Sequence, residues 1–207
     1  MPLIPYYIYG KLTMVQKPGK LFIIIGPSGV GKTSLINAML LPSTNLTTLQ
    51  RVITYTSRPA RMGEVHAKDY FFVSEHEFKS LLERDFFMEH SVAYGTYYGS
   101  PKALVQCIEQ GDSFIMAVDI KGAQDIKKCH PEAILIGIYV DEIDALKSRL
   151  KHRLTENEAE IERRIGLATQ EMEFITKNSA CFYRILNKDF EKSVKNLKEI
   201  IESELSL

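Results

Sequence analysis

Leu21-Phe22-Ile23-Ile24-Ile25-Gly26-Pro27-Ser28-Gly29-Val30-Gly31-Lys32-Thr33 is the stretch that decides the fold. Its first five residues form an unbroken apolar run, without the polar alternation of a half-exposed strand. Such a run predicts a strand buried on both faces, as in a parallel sheet covered by helices. Glycines then interrupt the run, and a helix is predicted from about Thr33 to Leu41, where Pro42 stops it. Downstream, predicted strands at Ser113–Val118, Ala133–Val140 and Phe182–Leu186 alternate with predicted helices near Lys102–Glu109, Glu142–Leu150 and Asp189–Ser203. That alternation predicts a layered α/β fold around a central parallel sheet. Val52-Ile53-Thr54 reads as a short strand. From Tyr55 to about Ser100 the chain turns aromatic-rich, which predicts a small β-containing insert with one helix near Glu75–Arg84.

Working outward, 207 residues suit one core domain carrying small inserted subdomains. Hydrophobic residues make up 45% and charged residues 25%, as in an ordinary globular chain. The formal net charge of +0 lacks the basic surplus of a nucleic-acid binder, so no nucleic-acid partner is expected. The three cysteines, Cys107, Cys129 and Cys181, are far apart and odd in number, which fits unpaired thiols in a reducing compartment. The five histidines show no His-Glu-x-x-His pattern, so no protein-held transition metal is expected. No apolar run reaches the roughly 18 residues of a membrane span. Residues 1–19 are rich in Pro and Tyr and lack the basic start of a secretory signal. They read as an N-terminal extension, of which residues 1–13, before Met14, are expected to be dispensable. A cytoplasmic chain with no membrane partner follows, as a monomer or homodimer.

Gly26–Thr33 matches the pattern Gly-x-x-x-x-Gly-Lys-Ser/Thr, and it lies between a buried strand and a helix. The glycines let the backbone curl so that several N–H groups face inward as an anion nest. The helix that follows adds its free N–H groups and its dipole. Lys32 is a point charge for β- and γ-phosphates, and the Thr33 hydroxyl can ligate Mg²⁺. The loop by itself does not separate a kinase from a GTPase or a motor.

Two arginine clusters bear on that choice. Arg58 and Arg61 lie three apart among hydroxyls in Thr54-Tyr55-Thr56-Ser57-Arg58-Pro59-Ala60-Arg61-Met62-Gly63-Glu64, and can fork onto a second phosphate group. Arg149 and Arg153 lie four apart on a predicted helix and so share a face, with Arg164 downstream. Either cluster alone also suits a solvated basic face. Between Lys151 and Glu160 the chain is polar and reads as a mobile flap. The helix after it carries Ile161, Ile165, Ala168, Met172 and Ile175 on one face. With a phosphate loop present, the arginines look like the clamps that a phosphoryl transfer between two anions requires.

From about Lys20 to Ser203 the chain resembles the guanylate kinases. The resemblance rests on Gly26–Thr33, on Thr56–Glu64, on Asp69-Tyr70-Phe71-Phe72-Val73, on Tyr97-Tyr98-Gly99-Ser100, on Asp119-Ile120-Lys121-Gly122-Ala123 and on the flap from Arg149 to Arg164. It implies a P-loop NTPase three-layer fold with a guanylate-kinase-like domain over 20–207. The core would be 20–53 and 101–207, the GMP-binding insert about 54–100 and the lid about 151–163. It implies transfer of the ATP γ-phosphoryl group to GMP or dGMP with Mg²⁺ as cofactor. Gly26, Pro27, Ser28, Gly29, Val30, Gly31, Lys32, Thr33 and Ser34 would hold the ATP phosphates, with Asn187 near the adenine. Arg58, Arg61, Tyr70 and Tyr98 would hold the GMP phosphate, and Glu89 would accept hydrogen bonds from guanine N1–H and its amine. Thr54 and Ser100 would lie near guanine O6, Gly99 would join the GMP-binding residues, and Asp119 would lie by the base and the metal region. Lys32, Arg58, Arg149, Arg153 and Arg164 would carry catalysis.

The chain departs from that pattern in places. Ala117 stands at the first acid of the usual Asp-Ile-Asp, Leu154 replaces a common Gly, and Val140-Asp141 replaces a common Pro-Pro. Asp119 can also be read as a helix cap, Glu89 as an exposed helix-end charge, and Tyr70 and Tyr98 as plain core aromatics. A GTPase would offer Asn-Lys-x-Asp, and Asn187-Lys188-Asp189 is one residue short of it. A non-catalytic protein-binding module of this family would usually lack the intact Gly26–Thr33 loop.

Overall fold

The structure is a computed structural model, and it describes residues 4–8, 11–15, 17–93, 95–143, 146, 158–177 and 183–207. Arg149, Arg153, Leu154, Cys181 and most of the expected flap lie outside the described residues. So do the side chains of Ile161 and Arg164, although both belong to a described helix. The chain divides into two compact units, residues 1–21 with 48–114, and residues 22–47 with 115–207.

Five strands form the central sheet in the order β11-β10-β3-β9-β4. They are β3 (Leu21–Ile25), β4 (Leu49–Arg51), β9 (Ser113–Ala117), β10 (Ile134–Tyr139) and β11 (Tyr183–Leu186). β10 pairs in parallel with both β3 and β11. Every side chain of β3 is fully buried, as the apolar run predicts, each contributing about 1.5–3 kcal/mol of burial. The strand expected at 52–54 is instead displaced to 49–51, and Val52-Ile53-Thr54 links β4 to β5 (Tyr55–Thr56).

In the unit that holds most of β3, α1 (Lys32–Met39) packs on α6 (Phe190–Ser206). α4 (Ile120–Cys129) follows β9, and α5 (Glu158–Lys177) covers β10. That last contact is close. A Cβ on Gly137 would come 2.5 Å from Ile175 Cγ2, so the bare backbone of β10 is what lets α5 lie so near.

The other unit contains a four-stranded sheet in the order β6-β5-β8-β7, with β6 at Phe71–Phe72, β7 at Phe87–Ala93 and β8 at Thr96–Pro101. It also holds α2 (Glu75–Glu83) and α3 (Ala103–Glu109). Ser74 and Glu77 close the start of α2 with a capping box. Phe78 on α2 is fully buried and stacks on Phe87 with ring centroids 4.5 Å apart. β1 (Ile4–Ile8) and β2 (Lys11–Val15) form an antiparallel pair within the stretch expected to be a plain extension. No helix among the described residues is long and apolar enough to cross a membrane.

Candidate active site

The phosphate loop occupies the turn from β3 into α1. Gly31 caps α1 in the left-handed region, at φ 102° and ψ 13°, a conformation that a side chain would strain. The first turn of α1 has no acidic residue and no side-chain cap. The positive end of its dipole is therefore not offset by an acid in the first turn and suits an anion. Lys32 Nζ donates to the carbonyls of Gly26 and Pro27, the latter at 3.0 Å, and so lies against its own loop. Thr33 and Ser34 are exposed at the first turn. Among the described residues no protein group hydrogen-bonds the Thr33 hydroxyl, so it is a hard oxygen donor of the kind Mg²⁺ takes. Asn187, just past β11, is buried and donates from Nδ2 to the Val30 carbonyl at 2.7 Å. Asp119 caps α4, accepting from the Gly122 N–H at 2.7 Å, as the capping alternative expects.

In the other unit a second constellation forms on the small sheet. Arg58 Nη1 donates to Glu64 Oε2 at 2.6 Å and to the Pro59 carbonyl at 2.9 Å, and Nη2 donates to Glu64 Oε1 at 2.7 Å. Among the described residues these bonds use three of the five guanidinium N–H groups, and the Nε/Nη2 side edge has the geometry that forks onto an oxyanion. The guanidinium also lies over the Tyr70 ring at 5.0 Å. Tyr70 in turn meets Tyr98 edge-on at 6.2 Å between centroids. Burial alone would depress Arg58, but Glu64 outweighs it and holds the guanidinium above its ordinary value. Burial likewise pushes Glu64 up, yet the bonds from Arg58 and from the Arg61 N–H at 2.8 Å win, and its carboxyl sits below the usual range. Burial raises the Tyr70 hydroxyl, with Tyr98 adding to the shift and Arg58 opposing it.

Glu89 is 5% exposed and accepts from Ser100 Oγ at 2.6 Å. It is a buried strand residue and not a helix-end charge. A break in register between Phe87 and Glu89 aims it: Phe87 pairs with Pro101, while Glu89 pairs with Ser100. A Cβ on Gly99 would meet Phe87 Cδ1 at 2.8 Å, so Gly99 and Phe87 face the aromatic packing around Phe78. Ser100 and Glu89 then face the opposite side. Without the extra residue of this bulge, Phe87 and Glu89 would share a face. Tyr98 lies two residues before Ser100, on the same side of β8, and pairs with Thr56, which is fully buried. Thr54 is buried too. Glu89, Ser100, Tyr98, Tyr70, Arg58 and Glu64 thus form one continuous run of functional groups.

The guanylate kinase family profile matches residues 18–204. The chain belongs to the guanylate kinase family. It is 37% identical over 191 residues to the guanylate kinase of Caldanaerobacter subterraneus subsp. tengcongensis, covering 92% of this chain and 90% of that one. It is 38% identical over 187 residues to the guanylate kinase of Escherichia coli, covering 90% and 88%. A crystal structure of guanylate kinase from Anaplasma phagocytophilum superposes with a TM-score of 0.71 at 25% identity, covering 93% of this chain and 89% of that one. The chain is accordingly an enzyme of the nucleoside monophosphate kinase type.

Two acids of this guanylate kinase carry weight that the sequence analysis did not assign. Glu64 stood in a quoted motif without a role, and the structure makes it the partner of Arg58. Glu171 lies on the core-facing side of α5, one turn before the buried Ile175. Burial pushes its carboxyl up to about 7, with Lys32 pulling it down and Asp119 pushing it further up. The raised value means that the folded chain keeps a proton that the unfolded chain releases near the ordinary carboxyl value of about 4.3. The stabilisation is therefore complete below that value and is lost as pH rises through about 7. Glu171→Gln is expected to match the wild type in thermal midpoint at about pH 5 and to exceed it at about pH 8. Equal midpoints at both pH values would reject the shift.

Proposed function

We propose that this chain transfers the γ-phosphoryl group of ATP to GMP, giving ADP and GDP. The observation that carries the reading is the buried Glu89 carboxylate on the same face as an arginine–tyrosine phosphate grip. Guanine offers N1–H and an exocyclic amine to such a carboxylate, whereas adenine has no hydrogen at N1 and lacks that amine. A buried acid left unpaired by the wrong base is a strong selector. Arg58, Arg61, Tyr70 and Tyr98 take the GMP phosphate, and Thr54 and Ser100 line the base side.

On the donor side Gly26–Thr33 cradles the triphosphate, and Lys32 balances the charge that builds on the β- and γ-oxygens. Thr33 would hold Mg²⁺, which supplies charge neutralisation between the phosphates. Arg149, Arg153 and Arg164, with the lid of about 151–163, would supply the positive charge around the transferring group. The nucleophile is the GMP phosphate oxygen itself, so no side-chain nucleophile is required. Closure excludes water, a competing acceptor.

Coupled ADP-release assays with GMP, dGMP, AMP and UMP test this proposal directly. Turnover is expected with GMP and to a lesser degree with dGMP. Turnover with AMP or UMP equal to that with GMP would sink the reading.

A further inference from the structure

The resemblance places Asn187 beside the adenine, but its contacts lead to the phosphate loop. Its backbone N–H donates to the Tyr139 carbonyl at 2.8 Å, which ties the residue to the end of β10. Ser193 Oγ donates to the Leu186 carbonyl at 3.3 Å, holding the preceding residue, and Asp189 caps α6 immediately afterwards. Asn187 is thus anchored on both sides and is only 3% exposed. Its Nδ2 reaches across 157 positions of sequence to the Val30 carbonyl, at 2.7 Å. The same nitrogen would lie 2.7 Å from a Cβ on Gly31. The carboxamide therefore packs against the residue whose left-handed backbone starts α1.

We propose that Asn187 is a positioning residue for phosphate recognition, acting through the loop and not through the base. The Val30 carbonyl and the Gly31 N–H belong to one trans peptide, so a carbonyl fixed on Asn187 fixes the Gly31 N–H on the opposite side. A short, fully anchored side chain sets such a turn more sharply than a long surface side chain does, because it loses little rotamer freedom in doing so. Gly31 serves the same arrangement from the other side, since any side chain there would displace the carboxamide.

The inference rests on Gly26–Thr33 being the triphosphate site, and the test separates the two. ATP, inorganic tripolyphosphate and GMP are titrated calorimetrically, at fixed magnesium, against the full wild-type chain and against Asn187→Ala and Asn187→Asp. Asn187→Ala is expected to weaken ATP and tripolyphosphate by the same factor, about tenfold, and to leave GMP unchanged. Asn187→Asp is expected to weaken both further, because a carboxylate faces the Val30 carbonyl with no hydrogen to donate. Loss confined to ATP, with tripolyphosphate binding as in the wild type, would mean that Asn187 reads the base and would overturn the proposal. Unchanged binding of both would overturn it too. A wild-type chain that binds neither ATP nor tripolyphosphate overturns the loop assignment and this inference with it. Unchanged GMP affinity in the same samples reports that the variants are folded. Should Asn187→Ala not fold, Asn187→Ser carries the same set of outcomes.

Discussion

Lys32→Ala is expected to lower kcat by about 10²–10³-fold while leaving the GMP dissociation constant within about twofold. The asymmetry follows from where the charge is needed. Lys32 opens α1 at the turn from β3, and its ammonium rests on the Gly26 and Pro27 carbonyls. Both are neutral acceptors, so an incoming phosphate is the stronger partner. The β- and γ-oxygens gain negative charge as the γ-phosphoryl group departs, and a positive charge fixed beside them stabilises the transition state more than the bound substrate. The residues proposed to hold GMP, Arg58, Tyr70 and their neighbours, belong to the other unit, and Lys32 is not among them. The same ammonium also holds the loop carbonyls, so a slackened loop has to be separated from the lost charge. Thermal unfolding of the variant and its affinity for GMP control for that. Steady-state rates over a matrix of ATP and GMP concentrations give the answer. A variant with wild-type kcat and only a raised KM for ATP would reduce Lys32 to uniform binding and remove it from the chemistry.

The donor half was legible in the sequence because its signals are local. Five apolar residues before Gly26, a glycine at each tight point and Pro42 after the helix are all properties of neighbours, and the structure keeps them. The acceptor half was legible as a set of residue types but not as a geometry. Period-two alternation would put Phe87 and Glu89 on one face of β7, and only the bulge between them turns Glu89 toward Ser100. A bulge depends on the partner strand, which no short window contains. Glu64 was hidden for a related reason: its bond to Arg58 requires the turn through Pro59 and Gly63 to close. Glu171 did leave a trace. Helical spacing sets it on the face of Ala168 and Ile175, and a carboxylate on an apolar face is a signal. The β1–β2 pair escaped because Ile4-Pro5-Tyr6-Tyr7-Ile8 contains a proline and no Asn-Gly or Asp-Gly turn follows it. The bond from Asn187 to Val30 spans 157 positions, a separation that no local pattern can reveal.

Glu89→Gln is expected to cut kcat/KM for GMP by about 10²-fold or more, and to shrink the preference for GMP over AMP at least as much. The carboxylate has acceptor capacity on both oxygens, and Ser100 Oγ already donates to Oε1 at 2.6 Å. A carboxylate can accept at both oxygens at once, and guanine N1–H and its amine offer two donors side by side. An amide has one oxygen and one NH₂. If its oxygen stays with Ser100, the NH₂ meets the N–H groups of guanine, donor against donor. If the amide turns over, its oxygen meets the base, but it is neutral and one acceptor is still lost. Either orientation strips the charge from a pair of hydrogen bonds made in a site where Glu89 is only 5% exposed, and water cannot replace what is lost. Adenine gains from the same change, since its N1 accepts a hydrogen bond that a carboxylate cannot donate. The two effects therefore move the GMP-to-AMP ratio in the same direction. Arg58, Tyr70 and Tyr98 are untouched by the substitution, so the phosphate grip on either nucleotide persists, and the ratio isolates the base. A Glu89→Gln variant that prefers GMP over AMP as strongly as the parent would place guanine recognition elsewhere in the chain.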